Sequence, residues 1–320
     1  VRIASTFSVL NPVILTPLTP VLSPDDRTLM PSIHPSPYDY ASAVSRNIGW
    51  LSTDEQDRLR NCRVAVAGLG GVGGAHVVTL ARLGIGKFHI ADFDCFEVHN
   101  FNRQTGAFMS TLGRPKVEVA AEMALDINPQ AEIRVFGDGV VPANLDDFLQ
   151  GVDLYVDGID FFAVEARRMI FAACHERGIP ALTAAPLGMG VSLLYFEPGG
   201  TSFEQYFRLA GCDRREQLAR FIAGLSPAML QFGYLKVPEA VDFEAQRGPS
   251  TVMACDLCAG LAGTAALKIL LGRGPLRPAP WAMQFDAYRQ RLSFTWRPFG
   301  NAHPLQWLLL KLIRPRLGPR

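Results

Sequence analysis

The stretch GLGGVGG, Gly68 to Gly74, follows the apolar run CRVAVA and precedes the helical pattern AHVVTLARLG. Few features constrain a chain more. Gly68, Gly70 and Gly73 fit the spacing G-x-G-x-x-G. The first glycine makes a tight turn, the second lets a phosphate approach the backbone, and the third lets the helix close on the strand. The helix N-terminus adds free N–H groups and a partial positive charge. A strand, this loop and a helix in this order call for a βαβ unit that binds a nucleotide. The glycines leave open whether that nucleotide is a dinucleotide or ATP. Asp92, which ends the next apolar run, would accept hydrogen bonds from the ribose hydroxyls of either.

The rest of the chain repeats the rhythm. Short apolar runs (KFHIA, AEIRVF, DLYVD, PALTAAP) alternate with helical patterns such as RPKVEVAAEMALDINP and FAVEARRMIFAACHERG. Strands of four to seven residues separated by helices predict a Rossmann-like α/β fold, its mostly parallel sheet covered on both faces. Beyond about residue 186 the pattern changes. GMGVSLLYFEPG and MQFDAYRQRLSFTWRP read as antiparallel strands, residues 200–250 as a loop or lid, and CDLCAGLAGTAALKILLG as a closely packed helix. The expected organisation is an irregular arm over 1–44, a nucleotide-binding core over 45–190, an extension of the same domain over 191–295, and a helix with a basic tail over 296–320. That last helix is expected to close over the core, with contact to a membrane surface as the other reading. A capping box, Ser52 with Glu55 or Thr53 with Gln56, predicts a helix start ahead of the first strand.

The segment DFDCFEVHNFNRQTG separates the two nucleotide readings. It places Asp92, Asp94, Asn100, Asn102, Arg103 and Gln104 in one crossover loop, and Lys116 begins the helix beyond it. An arginine and a lysine directed at one cleft suit a triphosphate losing pyrophosphate, because the developing charge needs fixed cations. Arg46 is a third candidate cation. Asp160, at the end of YVDGID, and Asp94 are candidate oxygen ligands for Mg²⁺. A nicotinamide-dependent oxidoreductase would keep the glycines and Asp92 but leave Arg103, Lys116 and Asp160 without a role.

Arg46, the G-x-G-G-x-G loop with Gly71 as its third glycine, Asp92-x-Asp94, Asn100-x-x-Arg103-Gln104, Lys116 and Asp160 together resemble the ThiF/MoeB/E1 superfamily of adenylating enzymes. The likeness extends from about Arg46 to Gly272. The resemblance implies that these residues surround ATP, with Asp92 on the ribose, the arginines and Lys116 on phosphates, and Asp160 tied to magnesium. It also implies a homodimer in which Arg46 reaches the partner's nucleotide. The implied reaction is adenylation of a carboxylate on a small acceptor protein, a peptide or a small molecule. Relatives that only bind nucleotide, and others that drive dehydration or cyclisation, belong to the same superfamily.

Two departures bear on this. Many members carry two C-x-x-C pairs for zinc. This chain has one, Cys255-x-x-Cys258, and tetrahedral zinc takes four ligands, so no structural zinc is expected. Members that form a thioester use a cysteine beyond the sheet, and Cys212, beside Arg214 and Arg215 but also Asp213, is the candidate. A formal net charge of +1 with 48% hydrophobic residues gives no basic excess for nucleic acid. Six irregularly spaced cysteines and the absence of a clean leader pattern lead us to expect a reducing, cytoplasmic setting.

Overall fold

The computed structural model describes residues 38–243 and 245–317. One eight-stranded sheet organises them: β1 Arg63–Ala67, β2 Lys87–Ala91, β3 Glu132–Phe136, β4 Leu154–Asp157, β5 Ala181–Leu187, β6 Gly190–Phe196, β7 Trp281–Asp286 and β8 Arg291–Trp296. Their order is β3-β2-β1-β4-β5-β6-β7-β8. The first five are parallel, with Val64 of β1 in register with Phe88 on one side and Leu154 on the other. The last three run antiparallel to their neighbours. Both the parallel core and the antiparallel extension therefore match the sequence reading.

Ten helices complete the body: α1 Tyr40–Ala43, α2 Thr53–Asn61, α3 Gly73–Leu83, α4 Lys116–Ile127, α5 Leu145–Phe148, α6 Val164–Glu176, α7 Phe203–Phe207, α8 Arg214–Leu225, α9 Val252–Leu271 and α10 Pro304–Ile313. Their ends follow local chemistry. Ser52 and Glu55 cap α2 reciprocally, as expected. Gly84 stops α3 in the left-handed conformation, φ 99°. The strand period of two then sorts the core. Val64 and Val66 face an aliphatic layer under α2, α3, α4 and α9. Ala65 and Ala67 face an aromatic layer beneath α5 to α8, which includes Phe148, Tyr155, Phe171, Phe203 and Phe221. α9 is 20 residues long and apolar enough to cross a bilayer by length and composition. Here it covers β5 and β6, with Cys255, Cys258, Ala262 and Ala266 buried.

Two sequence expectations change. The arm over 1–44 lies mostly outside the described residues, but it is not irregular to its end. Asp39 caps α1, and the Tyr40 hydroxyl donates to the Gly84 carbonyl at 2.7 Å. Residues 200–250 are not a single lid, because α7 and α8 occupy the first half. Asp213 accepts from the Glu216 N–H to start α8, and Leu218, Phe221 and Leu225 bury its inner face. That cap followed by helical periodicity was readable, but the surrounding Arg and Glu residues mask it. α10 closes over α8 through Leu309, Leu310 and Ile313.

Candidate active site

The chain leaves β1 toward β2 on one side of the sheet and later returns to β4 on the other. The crevice above β1 and β4 is therefore the topological switch point, where open α/β sheets bind ligands. The glycine loop sits there because backbone meets backbone. A Cβ on Gly68 (φ 80°) would lie 2.4 Å from the Gly158 carbonyl oxygen. One on Gly73 would lie 1.7 Å from the Gly68 oxygen, so neither position admits a side chain. Gly158, in the turn after β4, was not singled out in the sequence, and it is part of the same contact.

The turn after β4 is held from below. Asp157 and Arg167 form a buried ion pair, Nε to Oδ2 at 2.7 Å. The second Asp157 oxygen accepts from the Ile159 N–H, while the Arg167 guanidinium donates to the carbonyls of Ile159 and Asp160. This network presents Asp160 at the surface of the crevice. One Asp160 oxygen accepts from the Phe162 N–H at 2.9 Å. Asp157 and Arg167 were also missed in the sequence, where each looks like an ordinary charge next to a strand or within a helix.

Asp92 follows β2 and is buried. Its carboxylate accepts the N–H groups of Leu69, in the glycine loop, and of Asp94. Burial raises its pKa, against the lowering effect of those two bonds and of nearby Lys116. The aspartate thus fixes the loop and stands beside the position expected for a ribose. The Lys116 side chain is almost entirely buried, and its ammonium meets Asp94 Oδ2 at 3.0 Å. Asp94 is therefore the counter-ion of Lys116, and its side chain is still 53% exposed. Asp160 and Asp94 both stand as candidate oxygen ligands. Among the described residues no group of three or more His, Cys, Asp and Glu is arranged around a common point. That donor set fits Mg²⁺ carried largely by phosphate oxygens and water, with one or two protein carboxylates. It does not fit a metal held by an all-protein cage.

Arg103 is half-buried and braced within the crossover loop, donating to the His99 carbonyl and to Asn102 Oδ1 at 2.8 Å. Asn102 in turn donates to the Ser250 carbonyl, tying the loop to the start of α9. Asn100 is buried and shapes the loop: its side-chain oxygen accepts from the Glu97 N–H, and its carbonyl accepts from Arg103 and Gln104. Gln104 is 7% exposed and its Oε1 has no partner, while its Nε2 lies 3.7 Å from the place a Gly70 Cβ would take. A Gly71 Cβ would lie 3.1 Å from Cys255 Sγ and 3.7 Å from Arg103. Gly68, Gly70, Gly71, Gly73, Asp92, Asp94, Asn100, Arg103, Lys116 and Asp160 thus gather at one switch point.

Two predicted residues do not join them. Arg46 is exposed, and its neighbour Asn47 donates to the Leu83 carbonyl at the far end of α3. Eleven residues of helix separate that end from the glycine loop, roughly 16 Å. Cys212 precedes α8, whose opposite end accepts from Ser192 through the Leu225 carbonyl near the top of β5 and β6. The first turns of α8 reach the start of α6, where Gln217 Nε2 donates to Glu165 Oε1 at 2.7 Å, and the Cys212 thiol, partly buried, faces the Arg208 carbonyl.

Fold and site together define an α/β protein of Rossmann-like topology with a glycine-loop crevice at its switch point that carries both signs of charge. Its residues 44–307 match the model of the ThiF family, and the chain belongs to that family. It is 38% identical over 143 residues to the tRNA threonylcarbamoyladenosine dehydratase of Haemophilus influenzae, covering 44% of this chain and 54% of that protein. It is 31% identical over 198 residues to the molybdopterin-synthase adenylyltransferase of Escherichia coli, covering 61% and 78%. Its fold is similar to that of E. coli MccB solved with ATP, with TM-score 0.59 and 19% identity, covering 81% of this chain and 73% of that one. The same enzyme solved with MccA-N7isoASN gives TM-score 0.57 at 18% identity, covering 75% and 66%. The match spans about half the length of the dehydratase relative.

Proposed function

We propose that this protein uses ATP and Mg²⁺ to adenylate a carboxylate on a peptide, a small carrier protein or a small molecule, releasing pyrophosphate. The observation that carries this reading is the convergence of buried Lys116, braced Arg103 and presented Asp160 on the glycine loop. Such a set is superfluous for hydride transfer and suits charge developing on phosphates. Membership in the ThiF family and the adenylyltransferase relative support it.

In the reaction, a carboxylate oxygen of the substrate attacks the α-phosphorus of ATP. The new P–O bond forms as the bond to the β-phosphate oxygen breaks, leaving an acyl-adenylate and pyrophosphate. A carboxylate is ionised at neutral pH, so no strong base is needed. The glycine-loop N–H groups and the start of α3 bind phosphate oxygens. Lys116 and Arg103 offset the charge moving onto the leaving pyrophosphate, and Asp92 orients the ribose. Mg²⁺, when bound, would supply Lewis-acid stabilisation of phosphate oxygens, with Asp160 or Asp94 as its protein ligand. The acyl group then passes to an acceptor amine, thiol or sulfide, and AMP leaves. The exposed Arg46, beside Ile48 and Trp50, would serve the crevice of a second copy in a homodimer. Mixing Arg46→Ala with Arg103→Ala chains would then restore part of the activity that each lacks alone.

ATP–pyrophosphate exchange tests the reading. With Mg²⁺ and a suitable carboxylate or extract fraction, labelled pyrophosphate enters ATP, Arg103→Ala slows the entry strongly and Asp160→Ala weakens its dependence on Mg²⁺. ATP binding with no exchange in any fraction would leave a nucleotide-binding protein without this chemistry. A second reading, ATP-driven dehydration of a carboxylate-bearing modified base, is favoured by the dehydratase relative. It shares the adenylation step, and recovery of a cyclised product without an acceptor would single it out.

A further inference from the structure

We propose that α10 and the chain around it dock on an anionic phospholipid bilayer. The inference is independent of the proposed reaction, because none of these residues touches the crevice. α10 has two apolar faces. Gln306, Leu309, Leu310 and Ile313 are 1–9% exposed, against α8 and its surroundings. The opposite face carries Leu305, Trp307, Leu308 and Leu312, each 54–56% exposed. A helix that merely closed a core would present polar residues there. The Lys311 ammonium stands 3.7 Å over the Trp307 ring, and helical spacing puts it within the exposed face, between Trp307 and Leu308. Arg316 caps the next turn, donating to the Leu312 carbonyl and stacking 4.6 Å from the half-exposed Phe232 ring. The acid facing this region is Glu216 of α8, and it is taken up by Arg220 and Arg314.

Charge decides what covers the strip. From Ala287 to Arg320 the sequence contains seven Lys and Arg and no Asp or Glu, in a chain whose formal net charge is +1. The cationic excess is thus confined to this end, and everything before it is net acidic. An apolar strip with a tryptophan, carrying Lys311 and Arg316, matches the acyl boundary and headgroup layer of a negatively charged leaflet. A second copy of the chain would bring its own seven cations against these.

The test is sedimentation of the full chain with vesicles of phosphatidylcholine containing phosphatidylglycerol, beside vesicles of phosphatidylcholine alone. We expect roughly tenfold stronger partitioning onto the anionic vesicles, lost in about 0.5 M salt. The double substitution Leu308→Glu, Leu312→Glu abolishes it, and Lys311→Glu weakens it. The milder Leu308→Ser should lower it with an unchanged thermal midpoint, which separates lost docking from lost folding. Equal partitioning on both vesicles, or none on either, overturns the proposal. So does a wild-type dimer that Leu308→Glu, Leu312→Glu converts to monomer without any vesicle binding, since a second copy would then cover the strip.

Discussion

The parallel half of the sheet and the antiparallel half have the same layers but carry different burdens. In the parallel half the turns after β1, β2 and β4 build the crevice: the glycine loop after β1, Asp92 after β2, Gly158 and Asp160 after β4. In β6 to β8 and the helices over them, side chains mostly pack. Phe221 on α8 stacks with Phe161, Phe203 and Phe207, with centroids 5.1–6.3 Å apart. The chain thus separates chemistry from stabilisation along the sheet. Substitutions in the two halves should fail in different ways.

The sharpest test pairs Arg103→Ala with Phe221→Ala. The first removes a cation aimed at developing charge, and the exchange rate should fall by about 10² to 10³ with little change in thermal midpoint. The second should leave the rate of the folded fraction near normal and cost about 3–5 kcal/mol of stability. Denaturant unfolding run beside the exchange assay reads both. If Arg103→Ala unfolds the protein, or Phe221→Ala abolishes the chemistry in folded protein, the division between halves is wrong.

Arg167→Ala asks whether the division holds inside the parallel half. The residue touches no expected substrate position, yet it pairs with buried Asp157 and carries the turn that bears Asp160. Leaving Asp157 unpaired should cost about 3–5 kcal/mol, and Asp160 should lose its placement. The expected signature is loss of stability together with a weaker response to Mg²⁺ in whatever folds, while Asp160→Ala loses only the second.

What was legible in the sequence follows the same line. The glycine loop, the β1–α3–β2 unit, Arg103, Lys116 and Asp160 were readable because short-range spacing dictates them. Gly158, Asp157 and Arg167 were not, because their role arises only when β4 is laid beside β1, 90 residues apart at the register pair Val64 and Leu154. The pairing of Asp94 with Lys116 was hidden for a related reason, because the fold brings the two together across 22 residues. α8 was hidden by polar residues on its outer face, such as Arg214, Arg215 and Glu216 in its first turn.

His76 gives the smallest expected effect and tests the packing beside the loop. It lies in the first turn of α3, fully buried, and neither ring nitrogen has a partner. Burial alone lowers its pKa from 6.5 to about 4. The unfolded chain therefore takes up a proton near pH 6.5 that the folded chain refuses until about pH 4. More protons are bound in the unfolded state across that window, so stability falls as pH drops through it. The full loss should approach about 3 kcal/mol, reached near the lower end of the window and absent above pH 6.5. His76→Leu keeps the site apolar and removes the proton uptake. Thermal midpoints of the two proteins should run parallel from pH 7 to 8 and separate below pH 6, the wild type falling faster. Parallel curves down to pH 4 would mean that the ring reaches water or a partner, and that the base of the glycine loop is looser than its backbone contacts require.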